Sequence, residues 1–281
     1  MVRIITDSAA DFEPAELEQK KITCIPLKVL FGTEEFEENI SLSKGQFYEK
    51  MLAFEGFPKT SQAAPQVLAD LFAEAREAGG EAIYFTLSSA LSGTWQSAMF
   101  IREDFGWDGA FVVDSRNATG GQRILVEYAV QLRDEGKSAR EIVTAVEAMR
   151  DRIVLYACIN TLEYLYRGGR ISHLAYTFGT LAQIKPIIHV DYKGRVDIPA
   201  KAMGMRKGME HLCKQADAKV PDPAFPLYVM YTDDRAAAEA LAVRLAEHGQ
   251  AVRLDNIIQV GAAIGSHIGP KACGLVYIAK V

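Results

Sequence analysis

The side chains best equipped for chemistry crowd into one stretch. "SSALSGTWQSA", residues 88–98, holds four serines, one threonine and one glycine directly after the apolar run "AIYFTL". Three chemistries would use it: a nucleophilic serine, a phosphate cradle, or a set of neutral donors for another anion. A hydrolase serine normally sits in G-x-S-x-G, a strained elbow between strand and helix. Here the order is L-S-G-T, with Ser92 before a single glycine. A phosphate loop wants G-x-x-x-x-G-K-[ST] or G-x-G-x-x-G. Neither occurs, and "RGGRISH" (167–173) has glycines and bases without that spacing. The histidines, His173, His189, His211, His248 and His267, form no H-x-x-x-H or H-E-x-x-H pattern, so no metal site is expected. Neutral donors are left. The hydroxyls of Ser92 and Thr94, with the free N–H groups of a following helix, can face one point and bind an anion there. Gly93 would let the backbone approach closely. A hydroxyl-rich helix cap has the same look, so composition leaves both readings open. A Ser92–His267 pair assembled from distant parts of the chain, as in a lipid or acyl-ester hydrolase, is the alternative from another functional class.

Periodicity supplies the frame around this loop. "VRIIT", "EAIYFT" and "AFVVDS" are β-branched or aromatic runs that read as strands, and "CIPLKVLF" is a further candidate with Pro26 at an edge or start. Between them lie helical patterns. In "PQVLADLFAEAREAGG", Val67, Leu68, Leu71, Phe72 and Ala75 recur at helical spacing after Pro65. Thr94, Ala98, Ile101 and Phe105 share a face, and Ser138 with Glu141 makes a capping box. The alternation predicts a mostly parallel sheet with helices on both faces, a three-layer α/β/α unit over residues 1–160. In such sheets ligands sit beyond the carboxyl ends of the strands. "TDS" (6–8), "TLSS" (86–89) and "VDS" (113–115) all end strands in short polar residues, either converging on one rim or merely capping the next helices.

The second half has another texture. "IVLYACI", "FPLYVMYTD" and "LVYIAKV" read as strands, "IKPIIHVDYKGRVDI" as a hairpin turning at Lys193-Gly194, and 206–218 and "DRAAAEALAVRLAEHG" as helices. This predicts an α+β domain with a mixed sheet over residues 161–281, with the ligand site between the two domains. "YTFGTLAQI" (176–184) and "LYVMY" (227–231) are candidate linings for an apolar ligand, or ordinary core.

Composition sets outer bounds. The 281 residues are nearly half hydrophobic and carry a net charge of −5, which gives no general attraction to nucleic acid. Cys24, Cys158, Cys213 and Cys273 are scattered and form no C-x-x-C pair, so they read as core filler. The N-terminal "MVRIITDSAAD" shows no signal-peptide pattern, and a cytoplasmic protein is expected.

Six separated segments, in order, carry a likeness. "TDSAAD" (6–11), "KTSQAAP" (59–65), "SSALSGTWQSA", "LEYLYRGGRIS" (162–172), "IKPII" (184–188) and "HIGPKACG" (267–274) resemble the bacterial DegV family over essentially the whole chain. Ala63 stands where that family usually has proline, and Lys271 where it often has glycine. The resemblance implies a two-domain carrier, not an enzyme by itself, that binds one long-chain fatty acid such as palmitate or oleate and needs no cofactor. It implies a separate ATP-binding fatty acid kinase subunit as partner, to which the carboxylate is presented for acyl-phosphate formation, and a role in lipid transport or fatty acid metabolism. It also places the head-group residues. Thr60 and Ser92 would contact the carboxylate, Gly93 and Thr94 would contribute backbone, and Arg170 and His267 would complete the hydrogen-bond network. Arg206 and Lys207 would guide the kinase partner or a transient membrane contact, with a plain solvated pair as the simpler reading.

Overall fold

Alternate residues of the first strands go to opposite sides, and that alternation builds three layers. A computed structural model describes residues 1–177 and 183–281 of the chain. Its N-terminal half runs β1 (Val2–Asp7), α1 (Pro14–Lys20), β2 (Ile22–Ile25), β3 (Lys28–Phe31), β4 (Glu34–Glu37), α2 (Lys44–Ala53), β5 (Lys59–Ser61), α3 (Pro65–Glu77), β6 (Glu81–Thr86), α4 (Thr94–Phe105), β7 (Ala110–Asp114), α5 (Thr119–Asp134) and α6 (Ala139–Arg150). β2-β1-β6-β7 form an all-parallel sheet. Ile4, Ile83 and Phe85 pack with Ile124, Leu125 and Ile142 of α5 and α6. Their neighbours Ile5 and Tyr84 pack instead with Leu68 and Phe72 of α3 and Ala98 of α4. A period of two thus sends each strand's side chains to both faces, and both faces are covered by helices, as a parallel sheet requires.

One expectation needs correction. "CIPLKVLF" is not a single strand. The chain breaks around Pro26 into β2, at the edge of the parallel sheet, and β3, the centre of a separate antiparallel sheet β4-β3-β5. A residue without an N–H cannot donate to a ladder, so this is where the chain leaves one sheet for the other.

The C-terminal half runs β8 (Ile153–Cys158), α7 (Glu163–Arg167), α8 (His173–Thr177), β9 (Ile184–Val190), β10 (Val196–Met203), α9 (Gly204–Ala218), β11 (Tyr228–Tyr231), α10 (Arg235–Glu247), β12 (Ile257–Gln259), α11 (Ala262–Ile268) and β13 (Cys273–Ile278). Its six strands, ordered β10-β9-β8-β13-β11-β12, are antiparallel except for the β11–β12 pair, so the sheet is mixed. The β9–β10 hairpin turns through Asp191–Arg195, where Gly194 takes a φ of +76°. β8 precedes residue 160, yet it is hydrogen-bonded on both sides within this sheet, to β13 and β9.

The two halves share one core. One face of the mixed sheet packs on α9 and α10 through Val154, Tyr156, Val229 and Leu275. The other face joins the cluster of α5 and α6 through Leu155, Met230 and Val276. Arg123 of α5 is buried at this junction. It pairs with Glu16 and Glu127, and its guanidinium lies 4.5 Å from the Phe12 ring and 5.1 Å from that of Tyr228. A buried cation is tolerable only when paired and stacked in this way.

Candidate functional site

The three polar strand ends do converge, and their carboxylates aim at the hydroxyl-rich loop rather than at open space. Asp7 accepts from Leu87 N at 2.8 Å and Gln122 Nε2 at 2.9 Å, and it also caps Ala9 N at 3.1 Å. Asp114 accepts from Ser89 N at 3.1 Å and Ser89 Oγ at 2.5 Å. The loop is therefore held by two carboxylates from below. From above, Ser88 Oγ donates to Gly194 O of the β9–β10 turn at 2.8 Å, linking the two halves. Both readings of the strand ends hold together: the acids cap their own turns and fix the neighbouring loop.

Past this frame lies an internal cavity of about 320 Å³, at the lower end of the range for small-molecule sites. Its body is apolar. Leu155, Val190, Met230 and Val260 come from the mixed sheet and its extensions, and Ile264 and Ile268 come from α11. The "LYVMY" segment contributes Met230 and Tyr231; most of "YTFGTLAQI" lies outside the described residues. Among the polar residues of the wall, Thr60, Gln62, Ser92, Arg170 and His267 are neighbours, while Thr119 and Thr232 line it elsewhere.

Each of these is placed by a different element. Thr60 sits on the edge strand β5, in register with the buried Val29 of β3. His267 lies in the last turn of α11, and its Nε2 is 2.9 Å from Thr60 Oγ1. Burial, reinforced by the positive charge of Arg170, pushes the His267 pKa down to about 3, so the ring is neutral at physiological pH. Its Nδ1 is buried without a partner. A stranded N–H costs more than a stranded lone pair in such a place, which favours the proton on Nε2. Nε2–H then donates to Thr60 Oγ1 and leaves the Thr60 hydroxyl proton free to donate into the cavity. Gly168 makes this possible, since a Cβ there would lie 2.1 Å from His267 Nδ1.

Ser92 Oγ lies 2.9 Å from Thr94 Oγ1 and accepts from Thr94 N at 3.3 Å. Thr94 does not line the cavity; it orients Ser92 from behind. Gly93 lines the cavity and faces Gln62, whose Nε2 would be 2.6 Å from a Cβ at that position. Gln62 Oε1 in turn accepts from Ser97 Oγ at 2.8 Å, tying "TSQ" to α4. Arg170 Nε donates to Leu91 O at 3.0 Å and Nη1 to Gly168 O. Burial pulls the Arg170 pKa down from its ordinary value, and a guanidinium stays protonated in proteins. Thr60, Ser92, Gly93, Arg170 and His267 thus line one cavity, although sequence separates Thr60 from His267 by 207 positions. Gln62 and Gly168 were not singled out by sequence. The signal for the first was its place in "TSQ"; for the second, a double glycine directly after a helix.

The arrangement binds better than it reacts. Ser92 has Thr94 as its partner and His267 has Thr60. A ring whose pKa is about 3 is a poor acceptor for a serine proton near neutral pH. Among the described residues no group of three or more His, Cys, Asp or Glu side chains is placed to hold a metal ion, and no helix is long and apolar enough to cross a membrane. Neutral hydroxyl donors, one nearby guanidinium and a largely apolar space suit an anionic head on an apolar tail.

Comparison with known proteins agrees in outline. A family model described as "Uncharacterised protein, DegV family" matches residues 1–280. A DegV domain-containing protein of Clostridium perfringens is 34% identical over 274 residues, spanning 95% of this chain and 93% of the relative. A solved structure described as fatty acid binding of a DegV family protein from Thermus thermophilus superposes with a TM-score of 0.89 at 28% identity, covering 99% of each chain. DegV of Bacillus subtilis, described as a fatty acid binding protein, gives 0.85 at 28% identity, again over 99% of each.

Proposed function

The chain belongs to the DegV family, and from that premise we propose that it is a carrier for one long-chain fatty acid, such as palmitate or oleate. The observation that carries this reading is a cavity with largely apolar walls in which Thr60, Ser92, Arg170 and His267 stand together. In the proposed complex Thr60 and Ser92 donate hydrogen bonds to the carboxylate. Gly93 keeps the backbone close, Thr94 and His267 orient the two hydroxyls, and Arg170 supplies the charge that favours the ionised head. The tail supplies most of the affinity. At about 0.8 kcal/mol per buried CH₂, fourteen methylenes gain on the order of 11 kcal/mol before ordering costs. The head group then fixes direction more than strength, which suits a carrier that offers it to another protein.

That other protein is an ATP-binding kinase subunit. There a carboxylate oxygen bonds to the γ-phosphorus of ATP as the bond to the β-phosphate oxygen breaks, giving acyl phosphate and ADP. This chain holds and orients; it performs no bond-making of its own. Arg206 and Lys207, exposed near the start of α9, are placed to meet an acidic partner surface or an anionic membrane during loading. Lipid extraction and mass spectrometry of natively purified protein tests the reading. One fatty acid per chain is expected, and added palmitate should raise the Tm of stripped protein. Protein that carries no fatty acid and shows no Tm response to palmitate or oleate sinks it.

A further inference from the structure

Thr119 lines the cavity, yet its partners are not the head-group residues. It is the first residue of α5, and its hydroxyl donates to Met230 Sδ at 2.8 Å and accepts from Gly120 N. Gly120 allows this approach, since a Cβ there would lie 2.5 Å from Val276 Cγ1 and 3.2 Å from Met230 Sδ. The start of α5 therefore meets β11 at the cavity wall, beside Met230. The Thr119 proton rests on a thioether, a weak acceptor, so this buried hydroxyl keeps most of its donating capacity. Its backbone is strained as well: φ is +48°, a costly value for a β-branched residue.

A carboxylate with unused capacity stands behind this hydroxyl. Asp11 is buried, and its Oδ1 accepts at 2.9 Å from the N–H of Gly261, which follows the cavity-lining Val260. Its Oδ2 is buried without a partner. Burial raises the Asp11 pKa to about 6, and Lys44, the Gly261 N–H, the Thr119 hydroxyl and Arg123 act against that rise. Thr119 is thus within reach of this carboxylate. Thr232, the other threonine of the wall outside the head-group residues, is already engaged: it donates to Asp233 Oδ1 at 3.0 Å and accepts from Ala272 N at 2.9 Å.

We propose that Thr119 is a second polar anchor in the cavity, one that recognises a hydroxyl on the acyl tail, so that the protein accepts a monohydroxy long-chain fatty acid. The proposal deepens the carrier reading above and rests on it. On binding, Thr119 turns its proton from Met230 Sδ to Asp11 Oδ2. One lone pair of its oxygen stays with Gly120 N–H, and the other accepts from the tail hydroxyl. The relay satisfies three groups together: the tail hydroxyl, the Thr119 proton and the orphaned carboxylate oxygen. No charge enters the cavity, and no covalent bond is made or broken. Without such an anchor, a hydroxyl carried into an apolar space would weaken binding by about tenfold or more.

The probes are stearate and stearates that carry one hydroxyl at successive mid-chain carbons. Their affinities are measured by displacement of a fluorescent fatty acid from wild type, Thr119→Val and Thr119→Ser. In wild type, at least one hydroxy isomer should bind within about threefold of stearate, and the isomers hydroxylated elsewhere about tenfold or more weakly. Thr119→Val keeps the shape and removes the hydroxyl. It should weaken the favoured isomer by about tenfold and stearate by less than about twofold. Thr119→Ser keeps the hydroxyl and should retain most of the affinity for that isomer, which a packing role alone would not explain. Hydroxy isomers that all bind about tenfold more weakly than stearate, or a favoured isomer that Thr119→Val weakens no more than stearate, overturn the anchor while leaving the carrier intact. Stearate that fails to bind wild type overturns the carrier reading itself and the anchor with it.

Discussion

Two buried polar clusters hold α11, one at each end, and they do opposite work. At its N-terminal end, Asp11 accepts from Gly261 N at 2.9 Å and Glu38 from Ala263 N at 3.3 Å, while Ser8 Oγ donates to Glu38 Oε2 at 2.6 Å. Asp7 stands close by with three donors of its own. At the C-terminal end, His267 meets Thr60 across the cavity wall, with Arg170 nearby. The first cluster is acidic, and apart from Asp11 Oδ2 its acceptors are taken by backbone N–H groups and by the side chains of Ser8 and Gln122. The second is neutral or cationic, and in the proposed complex its Thr60 and Ser92 hydroxyls donate to the ligand head. Richness in polar residues does not separate structural from functional motifs; what separates them is whether the hydrogen-bonding capacity is already used.

The sharpest way to break this comparison is to remove an acid. Asp7→Ala strands the buried backbone N–H groups of Ala9 and Leu87, while Gln122 Nε2 keeps Thr6 Oγ1 and Phe85 O as acceptors, and should cost about 3 kcal/mol of stability by urea titration. A variant as stable as wild type would mean that the acid cluster is not structural. The converse change is milder for the fold. Thr60→Val/Ser92→Ala should weaken palmitate binding by about tenfold or more, with unfolding shifted by less than about 1 kcal/mol. Unaltered affinity would remove both residues from the carboxylate contact without touching the carrier reading.

The smallest effect, and the finest discrimination, lies in pH. Burial raises Asp7 and Asp11 from 3.8 to about 6 and Glu38 from 4.5 to about 7. The folded state therefore binds more protons than the unfolded state between those values, and this cluster's contribution falls as pH rises towards and through 6–7. For His267 the sign reverses. Its pKa falls from 6.5 to about 3, so the unfolded state binds more protons between these values. Its contribution is present above pH 6.5 and is lost as pH falls towards 3. Relative to wild type, Glu38→Gln should therefore gain stability between pH 5 and 8, and His267→Gln should lose it over the same range. Parallel profiles for the two variants would show that the clusters are not electrostatically distinct.

How much of this was legible in the chain depends on the range of the interaction that decides it. The three-layer unit was legible because it rests on short-range patterns: alternation in "VRIIT" and "EAIYFT", and helical spacing after Pro65. The capping box at Ser138 and Glu141 formed as its spacing predicted. The small sheet was not legible. β3 and β5 are short and far apart in sequence, and Thr60 gains its place only by pairing with Val29. The protonation of His267 was not legible either. The motifs put His267 in the head-group network without its charge state, and burial with Arg170 keeps it neutral, leaving Arg170 as the charge at that patch.

By itself the sequence determined the fold class and the family, because periodicity and motif order are local properties that survive without coordinates. Tertiary structure alone decided which hydroxyls are occupied and which are free. It decided that Ser92 turns to Thr94 and not to His267, that Asp7 and Asp114 support the loop, and that Arg170 lines the same cavity as Thr60 and His267. The physical reason is that a donor's availability depends on every partner within about 3 Å, and most of those partners come from residues far away along the chain.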